Sequence, residues 1–199
     1  MDSIAHSLLR AGERVSRYAV WFGGALILAA AGLVCAEVIL RKAFGISTGG
    51  ADELSGYALA IGTSWSAGFT LLNRAHVRVD AVYARMGERV RGGLDCLAII
   101  AMTVFAVALA WFCLGVLRDS VALGARSATT LSVPLWIPQG LWVAGLLLFA
   151  ATSLLLTALA IPALLRHDSA GLHGLAGGRS ADEEIRAELD TRLHAPKEA

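Results

Sequence analysis

From Ser127 to Leu165 the chain reads SATTLSVPLWIPQGLWVAGLLLFAATSLLLTALAIPALL, 39 residues without one Asp, Glu, Lys or Arg. A soluble domain has no use for such a run, because part of each of its helices must meet water. A bilayer core about 30 Å thick takes roughly 20 apolar residues at about 1.5 Å each. Leu135 to Ile161 is long enough to cross it with a tilt. Trp136 stands between Pro134 and Pro138 at the start of this span. A proline in the first turn costs no hydrogen bond and tryptophan prefers the interface, so all three residues suit a helix entering lipid.

Working outward, Cys96 to Leu117 and Leu54 to Leu72 are also uncharged, and Tyr18 to Leu40 is interrupted by Glu37 alone. The whole chain agrees: of 199 residues 56% are hydrophobic and 17% charged, with a mean hydropathy of +0.63. Ordinary globular domains run near 45–50% and about 25%. With a net charge of +1, these values exclude a soluble enzyme, a disordered chain, a disulfide-knit secreted domain and a nucleic-acid binder. Each span is read as a helix, since lipid offers no partner to a bare backbone amide and a barrel would alternate. The expected fold is an all-α membrane protein with four transmembrane helices, spanning about 18–40, 54–72, 96–117 and 135–161. Arg10, Arg14 and Arg17 precede the first span in the manner of a signal peptide, but its apolar core far exceeds the roughly 7–15 residues of a signal h-region. It is read as a mature helix.

Lysine and arginine near the helix ends set the orientation. Arg10, Arg14, Arg17, Arg74, Arg78, Arg85, Arg89, Arg91 and Arg166 share one side, and Arg41, Lys42, Arg118 and Arg126 the other. Both termini are therefore expected in the cytoplasm, with loops 41–53 and 118–134 facing outward. Residues 3–17 place Ile4, Leu8, Ala11 and Val15 at intervals of three and four, which suits either an amphipathic interfacial helix over 1–17 or a helical extension of the first span. Residues 77–94 repeat the device among arginines, with acids at Asp80 and Glu88 and a third, Asp95, just beyond. The expected organisation is a cytoplasmic interfacial helix over 1–17, a four-helix membrane domain over 18–165 and a polar cytoplasmic tail over 166–199. In the tail, Ser180 and Glu183 make a capping box for a short helix.

Little in the chain points to chemistry of its own. Cys35, Cys96 and Cys113 are isolated, and His6, His76, His167, His173 and His194 all lie outside the spans. Neither a metal cage, a redox pair nor a haem is expected. No P-loop, nucleophile elbow or His-Glu-x-x-His motif is present, so no catalytic residue, metal ligand or cofactor is assigned. The single charge inside a span, Glu37, is expected to pair with Arg41 four residues on.

The second span offers a packing surface instead. Gly56, Ala60, Ser64 and Gly68 recur every four residues beside a large stripe that includes Trp65. Small residues let another helix approach closely, so this stripe is expected to meet either another subunit or an adjacent helix. The span is only modestly apolar, which suggests that protein covers it. Asp52 and Glu53 open it at the positive end of the helix dipole.

Taken in order, Arg41, Asp52-Glu53-Leu54, Trp65, Arg74-Ala-His76-Val-Arg-Val-Asp80 and Leu131-Ser-Val-Pro134-Leu-Trp136-Ile-Pro138-Gln-Gly140 form a more specific combination. It resembles the small membrane subunit of tripartite ATP-independent periplasmic (TRAP) transporters, the DctQ-like family, over roughly residues 15 to 165. The resemblance implies a non-catalytic scaffold in the bacterial inner membrane. Its implied partners are a large permease subunit that carries the substrate and sodium sites, a periplasmic binding protein that delivers organic acids such as dicarboxylates, and membrane lipid. It implies no nucleic-acid partner and no substrate site in this chain. Arg74, His76 and Asp80 then make a polar clasp or an interfacial anchor, while Arg41, Asp52 and Glu53 hold the first hairpin together or contact the binding protein. A stand-alone four-helix scaffold or assembly factor, and the small subunit of a different tripartite carboxylate system, are the other readings of the same spans.

Overall fold

The computed structural model describes residues 3–47, 49–73 and 87–165. Four helices run through them: α1 (Ser3–Phe44), α2 (Ala51–Leu72), α3 (Glu88–Ala122) and α4 (Trp136–Leu165). Among the described residues there is no strand, only an isolated bridge between Arg126 and Pro134. The connector motif at 74–80 and the tail from 166 lie outside the described residues.

The helix ends follow from local chemistry. Gly45 (φ +68°) accepts the left-handed turn after α1 and donates its N–H to Arg41 O at 3.2 Å. Gly124 (φ +57°) does the same after α3, where Gly124 N reaches Val121 O and Ala125 N reaches Ser120 O. This pair of bonds satisfies carbonyls that a helix end otherwise leaves bare. Asn73 closes α2 with both its backbone N–H and its side-chain Nδ2 on Phe69 O. Pro138 falls in the first turn of α4, where the missing N–H has no helical partner to lose.

All four helices are longer than the spans read from sequence. α1 continues without a break from Ser3, so residues 3–17 extend the first span rather than forming a separate interfacial helix. No glycine–proline break stands at 17–18, and Ser16 and Ala19 are buried on the same face as Gly23 and Glu37. α3 begins at Glu88 and absorbs the end of the basic connector; Asp95 is buried in it at 1% exposure. Three segments are long and apolar enough to cross a membrane: Arg10–Phe44, Val90–Ala122 and Trp136–Pro162. α2, with 22 residues, is long enough but is not among them.

The helices pack as a row in the order α1, α2, α4, α3. α1 and α4 flank α2 and touch each other lightly, while α3 packs on α4. The apolar core lies mainly between α3 and α4, from Ile99, Ala106, Ala110 and Cys113 to Val143, Leu146, Phe149 and Leu156. Thr103 Oγ1 reinforces it, 3.0 Å from Ser153 O and 2.7 Å from Thr157 Oγ1. A row leaves broad outer faces: Trp21 and Leu28 on α1 are each 76% exposed and Phe112 on α3 is 72% exposed. Apolar surface of this extent is the surface of a membrane protein.

A close seam joins α2 to α4. A Cβ added at Gly145 would stand 2.5 Å from Trp65 Cδ1, 2.9 Å from Ser64 C and against Ser64 Oγ. Gly145→Leu is expected to cost about 1–3 kcal/mol through overpacking, read as a lower unfolding midpoint in detergent, whereas Gly24→Ala, with nothing within 4 Å of the new atom, leaves the midpoint in place.

Candidate functional site

Most of the residues singled out from sequence gather on α2 or at the end of the row where α1 turns into α2. Glu37, in the last two turns of α1, is almost fully buried with a side chain 6% exposed. A buried carboxylate needs partners. Arg41 Nη2 supplies one at 2.9 Å, and Ser47 Oγ donates to the same oxygen at 2.6 Å. Arg41 also reaches Ser47 Oγ at 3.2 Å, and Gly49 N donates to that hydroxyl at 3.3 Å. The expected i,i+4 pair thus exists, and Ser47 extends it into the turn that leads to α2.

Asp52 and Glu53 occupy the first turn of α2, as read, but they part company. Asp52 is exposed and lends its backbone carbonyl to Ser55 Oγ at 2.8 Å. Glu53 accepts hydrogen bonds from the hydroxyls of Tyr57, one turn on, and Thr129, in the loop between α3 and α4. That loop is itself ordered by reciprocal bonds between Ser127 and Val133, by Arg126 Nη1 on Ser132 O at 3.0 Å, and by Leu135 N on Ala125 O. Ser132 is held at φ +45°, a conformation costly for a residue with a Cβ. Leu131 lies so close over Gly50 that a side chain there would meet its Cγ at 2.6 Å. The loop therefore straps the start of α2, with Glu53 as its polar fastening.

Midway along α2, Trp65 joins three helices. Its Nε1 donates to Leu141 O on α4 at 2.8 Å, and its ring lies against Phe22 of α1 with centroids 5.0 Å apart. Leu141 is one turn inside α4 from Pro138, and Pro138 is buried while Trp136 is exposed. Pro134, with Arg126, forms the bridge that closes the loop.

The small stripe of α2 divides. Ser64 and Gly68 are buried, and a Cβ at Gly68 would stand 3.3 Å from Thr152 Oγ1 on α4 and 3.6 Å from Ser16 Oγ on α1. Gly56 is exposed with nothing within 4 Å, and Ala60 lies half-buried between them. The Gly68 end of the stripe thus meets adjacent helices of this chain. The seam also uses residues outside the stripe, since Gly23 and Gly62 bring α1 and α2 so close that a Cβ on Gly23 would stand 2.7 Å from Gly62 O.

Sequence reading missed Ser47, Thr129, Phe22, Gly62 and Gly145. The hydroxyl-rich loop at 127–132 was a visible signal, but its partner Glu53 lies 76 residues away. Arg74, His76 and Asp80 lie outside the described residues. Among the described residues no group of His, Cys, Asp and Glu side chains is arranged to hold a metal. What the arrangement does is mechanical: it fixes α2 at its start, its middle and its flanks.

The model of one protein family, described as Tripartite ATP-independent periplasmic transporters, DctQ component, matches residues 30–163. That stretch covers well over half of the chain and takes in every fastening described above apart from Ser16, Phe22 and Gly23. No curated protein matches the chain, and no solved structure does.

The hydroxyls of Thr129 and Tyr57 hold the Glu53 carboxyl, just ahead of the second span, below its ordinary value of 4.5. A carboxyl lowered on folding stabilises the fold above its unfolded value and loses that contribution as pH falls through the folded one. Amide exchange in residues 123–133 is therefore expected to rise in Glu53→Gln at neutral pH, and in the unaltered chain only below pH 4.5. Trp65→Phe keeps the ring contact but removes the bond to Leu141, an expected loss of about 1 kcal/mol measured by the unfolding midpoint in detergent.

Proposed function

The chain belongs to the DctQ component family of tripartite ATP-independent periplasmic transporters, and we propose that it serves as the non-catalytic scaffold partner of the large permease. In this reading the complex takes up organic acids, carboxylates and dicarboxylates, driven by the sodium gradient. A periplasmic binding protein captures and delivers the acid, and the large permease moves it. The chain is a transporter component and a membrane protein; its place in the bacterial inner membrane with both termini cytoplasmic belongs to the same proposal. So does a fourth transmembrane span made by α2, which is less apolar than its neighbours because α1 and α4 cover its flanks.

The observation that carries this reading is the family match, and the row of helices supports it. A row has large outer faces and spreads in the plane of the membrane, which suits a part that widens a partner's static frame. Its central helix is fastened at three levels, so the row is built to stay rigid. With the α1–α2 turn facing the periplasm, the exposed Arg41 and Asp52 stand where a binding protein would approach. Arg74, His76 and Asp80 then anchor the opposite, cytoplasmic end.

Co-expression with a large permease of this transporter class is expected to yield a stable complex in mild detergent. In proteoliposomes supplied with the binding protein, sodium-dependent uptake is expected from the complex and lost when this chain is left out. A chain that purifies alone, with uptake undiminished in its absence, identifies a stand-alone scaffold instead.

A further inference from the structure

Between α3 and α4 an apolar cleft of about 330 Å³ stays open on the surface. Val107, Trp111 and Leu114 wall it on α3, and Leu147, Ala150 and Leu154 on α4. Trp111 is 68% exposed beside it. The three α3 residues occupy positions i, i+4 and i+7 of one stripe, and the next position of that stripe is Arg118.

Arg118 follows the last apolar residue of the span 96–117 and is exposed. Among the described residues it makes no ion pair. The Cα–Cβ bonds of a helix tilt toward its N-terminus, so a side chain covers the turn before its own Cα. By that tilt a side chain at 118 is directed back toward the turn of Leu114, which lines the end of the cleft. Eleven residues separate Arg118 from Val107, about 16 Å along the axis, which matches one leaflet of a hydrocarbon core about 30 Å thick. Asp119 lies about 100° round the helix, off the stripe. The facing helix has no carboxylate at all, since 127–165 is uncharged. A cation at this height suits a phosphate at the membrane surface, and the absence of a facing acid leaves an ammonium headgroup without a partner.

We infer that the α3–α4 cleft binds one phospholipid with an anionic headgroup, an acyl chain lying against Trp111 and the phosphate paired with Arg118. The site goes beyond the scaffold role and does not depend on which solute the transporter carries.

The test uses the full-length chain in phosphatidylcholine vesicles doped with phosphatidylglycerol or phosphatidylcholine brominated at mid-chain, with tryptophan quenching as the readout. Brominated phosphatidylglycerol is expected to quench at an about fivefold lower mole fraction than brominated phosphatidylcholine. Trp111→Phe is expected to remove the lipid-selective part of the signal, which separates it from the other four tryptophans. Arg118→Gln, an exposed substitution that leaves packing intact, is expected to abolish the preference, and Ala150→Leu to fill the cleft and reduce quenching by both lipids. Equal quenching by the two lipids in the unaltered chain overturns the assignment, as does a preference that survives Arg118→Gln or quenching that Ala150→Leu leaves unchanged. Protection of Trp111 from both lipids, the mark of a protein or a second copy seated in the cleft, overturns it as well.

Discussion

Inside a bilayer the hydrophobic effect no longer drives helices together, because lipid tails are as apolar as leucine, so association depends on close packing and on hydrogen bonds between helices. In this protein close packing and hydrogen bonds between helices converge on α2. Gly23 against Gly62 lets α1 lie on one flank of α2, and Gly145 against Ser64 and Trp65 lets α4 lie on the other. At both places backbone stands where a side chain would otherwise hold the helices apart. The bond from Trp65 Nε1 to Leu141 O then has the short reach it needs.

The polar fastenings depend on those approaches. Glu37 is tolerable in its buried place because Arg41 and Ser47 reach it, and the turn after Ser47 delivers Gly50 under Leu131. Glu53 meets Thr129 only because α4 sits against α2 and draws the preceding loop over it. Packing and polar contacts thus hold one helix from three directions, while α1 and α3 keep their outer faces free. Such a build suits the proposed scaffold role, in which the chain stays fixed beside a moving partner and offers apolar surface to lipid and protein.

Several of these features were legible beforehand. The uncharged run at 127–165 announced a membrane helix, and the four-residue spacing of Glu37 and Arg41 announced their pair, because both are properties of a single helix. The modest hydropathy of the second span announced protein cover. The dipole reading of Glu53 named the right residue but not its fastening, since Thr129 is distant in sequence and reaches it only through the fold. The stripe Gly56, Ala60, Ser64, Gly68 was likewise half informative: spacing says which residues share a face, not which end of that face finds a neighbour.

The sequence by itself determined that this is an all-helical membrane chain, where its long apolar helices lie, and, through its motifs, the family to which it belongs. These follow from local chemistry, since a backbone in lipid must bond to itself and a long uncharged run leaves one way to do so. Only the tertiary structure decided the row α1, α2, α4, α3, the glycines at its seams, and the strap from the α3–α4 loop to the start of α2. Hydrophobicity is nearly uniform around such helices, so it does not select one face over another. That choice rests on the fit of shapes and the pairing of a few hydroxyls across long stretches of chain, which exist only once the helices have met.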